Sequence, residues 1–376
     1  MGFLQKLLGR NQAIVVNNVV NDKDTFWAWF QAQSPQFHQA VLKQEQIESV
    51  FFDPLSAWLD RMHEGIYFLA GEAEPGVAEL VFTADGVFKN FAFIEDLVAA
   101  APDMAGWRFV ALKPACHLEG FGINMAGRTY SADTLHFYPR ENRAYPHVVD
   151  IAIVYSDDTA TENELSSGVY VYMDNLLGEW VSVTHIDKLD IFNQREATQP
   201  LYPMAELAPY LASKHQAWQQ AYGEVYYSSD QDEFASFEGE TDNGQLIVGI
   251  IDSTLLAWPH KPSHPWMLTL RIDYDGSGLN GMPSKHIYQH MEAFEDAVVA
   301  ALPEHEGYLN LGRETGDDMR LVYFACKQFV QATRVLERLM PQYSQEMDIS
   351  YDVFQDKYWL SLQRFEHMAH EDDEAH

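Results

Sequence analysis

His286 and His290 stand four residues apart in a stretch whose apolar residues recur at helical spacing, which puts both imidazoles on one helix face. Two imidazoles in that relation can ligate a metal. His260 and His264 flank Pro262 a little upstream, but nothing in the spacing joins the two pairs. They are read as solvated or hydrogen-bonded histidines, with no metal and no cofactor assigned. The tail histidines, His367, His370 and His376, are read as part of a disordered terminus. Arg313 stands out because cations are scarce: 24 Lys and Arg oppose 56 Asp and Glu. Its expected partner is Glu314 or Asp317.

Asp273 and Asp275 precede Gly276-Ser-Gly278-Leu-Asn-Gly281, a G-x-G-x-x-G match between a predicted strand and a predicted helix. Three features argue against a dinucleotide site. Pro283 falls where the helix should already run, the two aspartates repel a pyrophosphate, and the next two strands form a hairpin instead of a crossover. The same stretch resembles part of a calcium loop, but its twelfth position is Ser284 in place of the bidentate Glu. The glycines are therefore expected to permit a tight irregular loop. Arg313, His286, His290, Asp273 and Asp275 are the binding candidates. No residue is assigned a catalytic role, because no G-x-S-x-G, Walker lysine loop, H-E-x-x-H or C-x-x-C occurs.

The elements that must hold these residues can be read along 376 residues that are 47% hydrophobic and 13% aromatic, a composition that excludes a disordered chain. A net charge of −32 argues against direct nucleic-acid binding, which needs Lys and Arg clusters. Cys116 and Cys326 are read as reduced core thiols of a cytoplasmic protein. No apolar run reaches the ~18 residues that span a bilayer, and no membrane association is expected.

The expected fold class is α+β, as two α/β-sandwich-like domains. Residues 1–19 read as a flexible N-terminus, 20–200 as an N-terminal α+β domain, 201–223 as a helical linker, 224–362 as a second domain and 363–376 as an acidic tail. In the first domain, Ser34-Pro35 is expected to start a new helix, 162–177 to be a helix ended by Gly178, and 66–70 with 78–83 to form a hairpin. In the second, a strand at 266–274 precedes a helix capped by Ser284, with apolar positions Ile287, Met291, Phe294, Val298 and Leu302. A hairpin of 307–313 and 319–325 follows, then a helix around Phe329 to Met340, a strand at 347–353 and a further sheet segment at 358–362. The order β-α-β-β-α-β is the ferredoxin-like plan.

The strand Trp266-Met-Leu-Thr-Leu-Arg-Ile, the Gly281-Met-Pro283 loop, Phe294-Glu-Asp296, Gly312-Arg313-Glu-Thr315 and Arg320-Leu-Val-Tyr-Phe324 resemble the bacterial domain-of-unknown-function family 695. The continuation through Tyr351 and Asp356-Lys-Tyr-Trp359 is similar to the regulator of ribonuclease E activity B superfamily. The likeness covers about residues 225 to 362. It implies a ferredoxin-like α+β fold and an acidic protein that acts by binding another protein. The N-terminal block resembles uncharacterised bacterial proteins through Phe26-Trp27, Glu79-Leu-Val-Phe-Thr-Ala-Asp85-Gly86 and Leu177-Gly-Glu179, which implies no function.

The expectation is a non-enzymatic, acidic protein-binding or regulatory factor for a basic partner, such as an RNA-processing enzyme or a toxin. The alternative is a hydrolase-like enzyme or small-molecule binder with a cleft between the domains, which requires Arg313, His286 and His290 to converge. The oligomeric state is not legible.

Overall fold

The computed structural model describes residues 23–116, 121–229, 231–241 and 244–365. The expected N-terminal segment 1–19, the tail from 366 onward and its three histidines lie outside them. The chain divides into two compact units, with the division between Ser213 and Lys214.

The first unit begins with α1 (Lys23–Lys43) and α2 (Asp53–Met62), then β1 (Tyr67–Glu74), β2 (Val77–Thr83), α3 (Phe91–Ala99) and β3 (Trp107–Ala111). The sheet order is β1-β2-β3, antiparallel then parallel. Pro35 does not start a helix: α1 runs through it. One apolar face explains the continuity, because Phe26, Trp27, Phe30 and Phe37 on both sides of the proline are buried together and interlock edge-to-face.

The chain continues through β4 (Gly122–Met125), β5 (Arg128–Ser131), β6 (Leu135–Arg140), β7 (Asp150–Tyr155), α4 (Glu162–Leu177), α5 (Glu179–Thr184), β8 (Lys188–Asn193), β9 (Tyr202–Pro203) and α6 (Leu207–Tyr222). A four-stranded sheet has the order β8-β7-β6-β9. Helix α4 has the expected bounds. A capping box of Thr161 and Glu164 begins it, and Gly178, with φ +76°, ends it. Its face of Leu165, Val169, Tyr172 and Leu176 packs on Ile151 and Ile153 of β7.

The second unit contains β10 (Phe234–Glu240), β11 (Leu246–Asp252), α7 (Ser253–Leu256), β12 (Trp266–Asp273), α8 (Lys285–Ala301), β13 (Tyr308–Gly316), β14 (Met319–Cys326), α9 (Val330–Tyr343) and β15 (Asp348–Gln355). One six-stranded sheet has the order β10-β11-β13-β14-β12-β15, and every adjacent pair is antiparallel. Strand β10 comes from a stretch that reads as polar and acidic, and β11 from the apolar run Leu246-Ile-Val-Gly-Ile-Ile that follows it. Period-2 alternation places Leu268, Leu270, Val322 and Phe324 on one sheet face, while Met267, Leu321, Tyr323 and Ala325 belong to the cluster on the other.

The expected sheet segment at 358–362 is a 3-10 turn at Leu360–Leu362, preceded by Trp359 at φ 54°. The left-handed backbone there ends any strand and buries the indole, whose Nε1 donates to the His264 carbonyl at 2.9 Å. Phe365 is also buried, so the packed chain extends past residue 362. Cys326 is buried, but Cys116 is exposed, so only one of the two expected core thiols is in a core.

Candidate functional site

Arg313 owes its position to a β-bulge. The register of β13 against β14 shifts between Asn310 and Gly312, and Gly312 takes φ +134°. A Cβ at Gly312 would sit 2.3 Å from the Ile250 carbonyl oxygen, so a side chain there would force β11 and β13 apart. After the bulge, Arg313 and Thr315 share a face with Arg320 and Val322, while Glu314 faces the opposite side with Tyr323.

That alternation corrects the expected pairing. Arg313 Nη1 donates to Glu295 at 2.7 Å and lies 2.9 Å from Glu292, both on α8, and pairs with neither Glu314 nor Asp317 among the described residues. Neighbours in a strand point to opposite faces. Burial alone would lower the Arg313 guanidinium, but Glu295 and Glu292 hold it above its ordinary value. Arg320, 1% exposed, completes the cluster: Nη1 reaches Glu292 at 3.0 Å and Glu295 at 2.5 Å, and Nε donates to Thr315 Oγ1 at 2.9 Å. On the other face, Glu314 accepts from Tyr323 and from Arg364. Burial and that bond push the Tyr323 hydroxyl well above the usual phenol range.

Asp273 forms a bidentate pair with Arg271, two residues back on the same strand face. The Asp275 carboxylate accepts from the Ser277 backbone at 2.9 Å, and bonds to Ser277 hold it below the ordinary carboxylate range. The glycine loop is pinned to the β13–β14 turn: Gly276 N–H donates to Asp318 at 3.0 Å, and Tyr274 Oη donates to the Gly281 carbonyl at 2.9 Å. These contacts account for the loop by packing.

His286 and His290 converge on Glu346, with ring nitrogens 2.7 and 3.3 Å from one carboxylate oxygen. His264 is fully buried, and its Nδ1 lies 2.8 Å from Ser263 Oγ. Burial lowers its pKa to about 3, so it is neutral. Neither His260 nor His264 joins a group of three potential metal ligands among the described residues.

The two strands at one end of the sheet border a cleft in the second unit. Strands β10 and β11 extend the sheet and leave Phe234 and Ile250 exposed beside Val299 of α8. A cavity of about 380 Å³ lies there, with Asp232, Asp252, Glu304 and Arg313 among its lining. Asp252 is 1% exposed and caps α7, accepting from the Leu255 N–H at 2.9 Å. Burial raises its pKa to about 6, and a hydrogen bond in which protonated Asp252 donates to Asp232 adds to the rise. Two adjacent carboxyls cannot both ionise cheaply. Tyr227 Oη donates to Asp232, and Glu304 accepts from the Ser229 N–H at 3.0 Å. Of the binding candidates only Arg313 lines this cleft, so it and the two histidines do not converge there. Sequence reasoning missed Asp232 and Asp252, because acidic residues are everywhere in this chain. The Asp252-Ser-Thr-Leu helix start was the available signal.

The segment that carries the sheet can be matched to a known family. Residues 240–365 match DUF695, a family of unknown function. The DUF695 match runs from the end of β10 to Phe365 and takes in Arg313, both histidines and Glu346. No curated protein and no solved structure matches the chain. Among the described residues, no helix is long and apolar enough to cross a membrane.

Proposed function

We propose that this chain is a non-catalytic binding or regulatory factor, and that its second unit receives a basic, partly apolar protein segment in the β10–β11 cleft. The observation that carries the reading is the cleft's composition. Exposed Phe234, Ile250 and Val299 sit beside Asp232, Asp252 and Glu304. The single cation among the described lining residues, Arg313, is already held by Glu292 and Glu295. Strand β10 is also a sheet edge, where an extended segment can add main-chain hydrogen bonds. A net charge of −32 speeds encounter with a cationic partner.

The order β13-β14-β12-β15, with a helix in each crossover, supports a ferredoxin-like plan to which β10 and β11 are added. The likeness to the regulator of ribonuclease E activity B superfamily supports a bacterial, cytoplasmic protein-binding role.

The test is fluorescence anisotropy of a labelled peptide of alternating lysine and leucine with the full-length protein at stepped salt. Saturable binding that weakens as salt rises, and that falls about tenfold in the Asp232→Asn/Glu304→Gln double variant, is expected. Equal binding by that variant would remove the cleft as the site. A second reading, a small polyamine binder, is favoured by the Asp232–Asp252 carboxyl pair. It predicts that a triamine displaces the peptide competitively.

A further inference from the structure

We propose that His286, His290 and Glu346 form a binding site for a divalent transition metal of the zinc class. The site is independent of the cleft and of the protein-binding reading. Its three donor atoms, one from each residue, lie within 4.8 Å of one another. His286 Nε2 stands 2.7 Å and His290 Nδ1 3.3 Å from the same Glu346 oxygen. Helical spacing on α8 brings the two rings to a centroid distance of 4.3 Å, and the turn before β15 supplies the carboxylate from a different element. Two elements therefore converge on one point, which a helix pair alone would not achieve.

The donor set selects the metal. Two imidazole nitrogens suit zinc, copper or nickel and disfavour magnesium and calcium, which take oxygen ligands. Three protein donors leave a coordination position for water, as in zinc sites that are not closed. The opposing term is the helix start, because Ser284 caps α8 and the N-terminal end of the dipole repels a cation. The Glu346 charge offsets that repulsion, and this gives the carboxylate a role beyond geometry.

All three side chains are exposed or half-buried, so their substitution should leave the fold intact. The experiment uses full-length, untagged protein stripped with chelator. Zinc alone is titrated by calorimetry, and cobalt is followed by its visible absorption. His367, His370 and His376 are replaced by Ala in a background variant, so that the tail contributes no ligand. One equivalent of zinc and a cobalt spectrum are expected in both wild type and background. Affinity should fall at least ~10–100-fold, the range seen for outer-shell partners alone, in His290→Ala. Glu346→Gln should lower it by less. Magnesium should not compete. Absence of binding, loss of binding in the tail variant, or undiminished binding in His286→Ala/His290→Ala would each overturn the proposal.

Discussion

Glu179 in the first unit and Glu295 in the second are both withdrawn from water, at 0% and 4% exposure, yet they are satisfied in opposite ways. Glu179 follows the Gly178 turn and accepts four hydrogen bonds: from Thr83 Oγ1 at 2.6 Å, and from the backbone N–H groups of Ala84, Gly86 and Lys113 at 3.0 to 3.2 Å. It ties the ends of β2 and β3 to the start of α5. Glu295 instead meets two guanidinium groups, Arg313 and Arg320, across the sheet–helix interface. A carboxylate held by main-chain donors has no apolar substitute, because those donors remain when it is removed. One held by side-chain cations does, because both partners can be replaced together.

This contrast can be broken experimentally, and its strongest test is Glu179→Ala. It strands three backbone donors and a hydroxyl and should cost about 5 kcal/mol by urea denaturation. No single apolar replacement should restore it. Arg320→Met should cost about 3 kcal/mol by leaving Glu295 under-compensated. Here the double variant Arg320→Met/Glu295→Leu should recover most of the loss, since Arg313 keeps Glu292. A double variant as unstable as the single would mean that the two carboxylates are equivalent after all.

Asp252 sharpens the comparison through pH. Its folded pKa of about 6 stands above the unfolded value of about 3.9. Its contribution to stability is therefore fully present below about pH 4 and is lost as pH rises through about 6. Asp252→Asn preserves the α7 cap and removes this dependence. The variant should gain stability relative to wild type between pH 4 and pH 7, as read from parallel denaturation curves; a constant difference would refute the assignment. The smallest effect is expected at Arg364, whose half-exposed side chain bonds Glu314. Arg364→Ala should cost about 0.5–1 kcal/mol, with sensitivity to salt.

Legibility followed periodicity. Helices α4 and α8 were read almost to the residue, because Gly178 marks the end of the first, and Ser284 and apolar positions at helical spacing mark the second. Strand β10 was missed because it is an edge strand with only Ala235 and Phe237 half-buried and Phe234, Ser236 and Glu238 exposed, so it reads as an acidic loop; its partner β11 was not read as a strand either. Pro35 misled because local rules make it a helix start, whereas the aromatic core of the first unit holds α1 continuous across it. His286 and His290 were visible as a pair, but Glu346 was not, since it lies 56 residues beyond His290 in a different element.

By itself the amino-acid sequence determined the α+β class, the acidic character, the strand and helix order of residues 266–355 and the segment that resembles family 695. Those properties rest on composition and on short-range periodicity, which a linear chain carries locally. Tertiary structure alone decided which charges meet. Arg313 and Glu314 are adjacent in the chain, yet pleating sends one to α8 and the other to Arg364. It also decided that Asp252 would be buried close to Asp232 and that Glu346 would come under two histidines. Each of these depends on sheet register and on packing between distant segments, to which local spacing is blind.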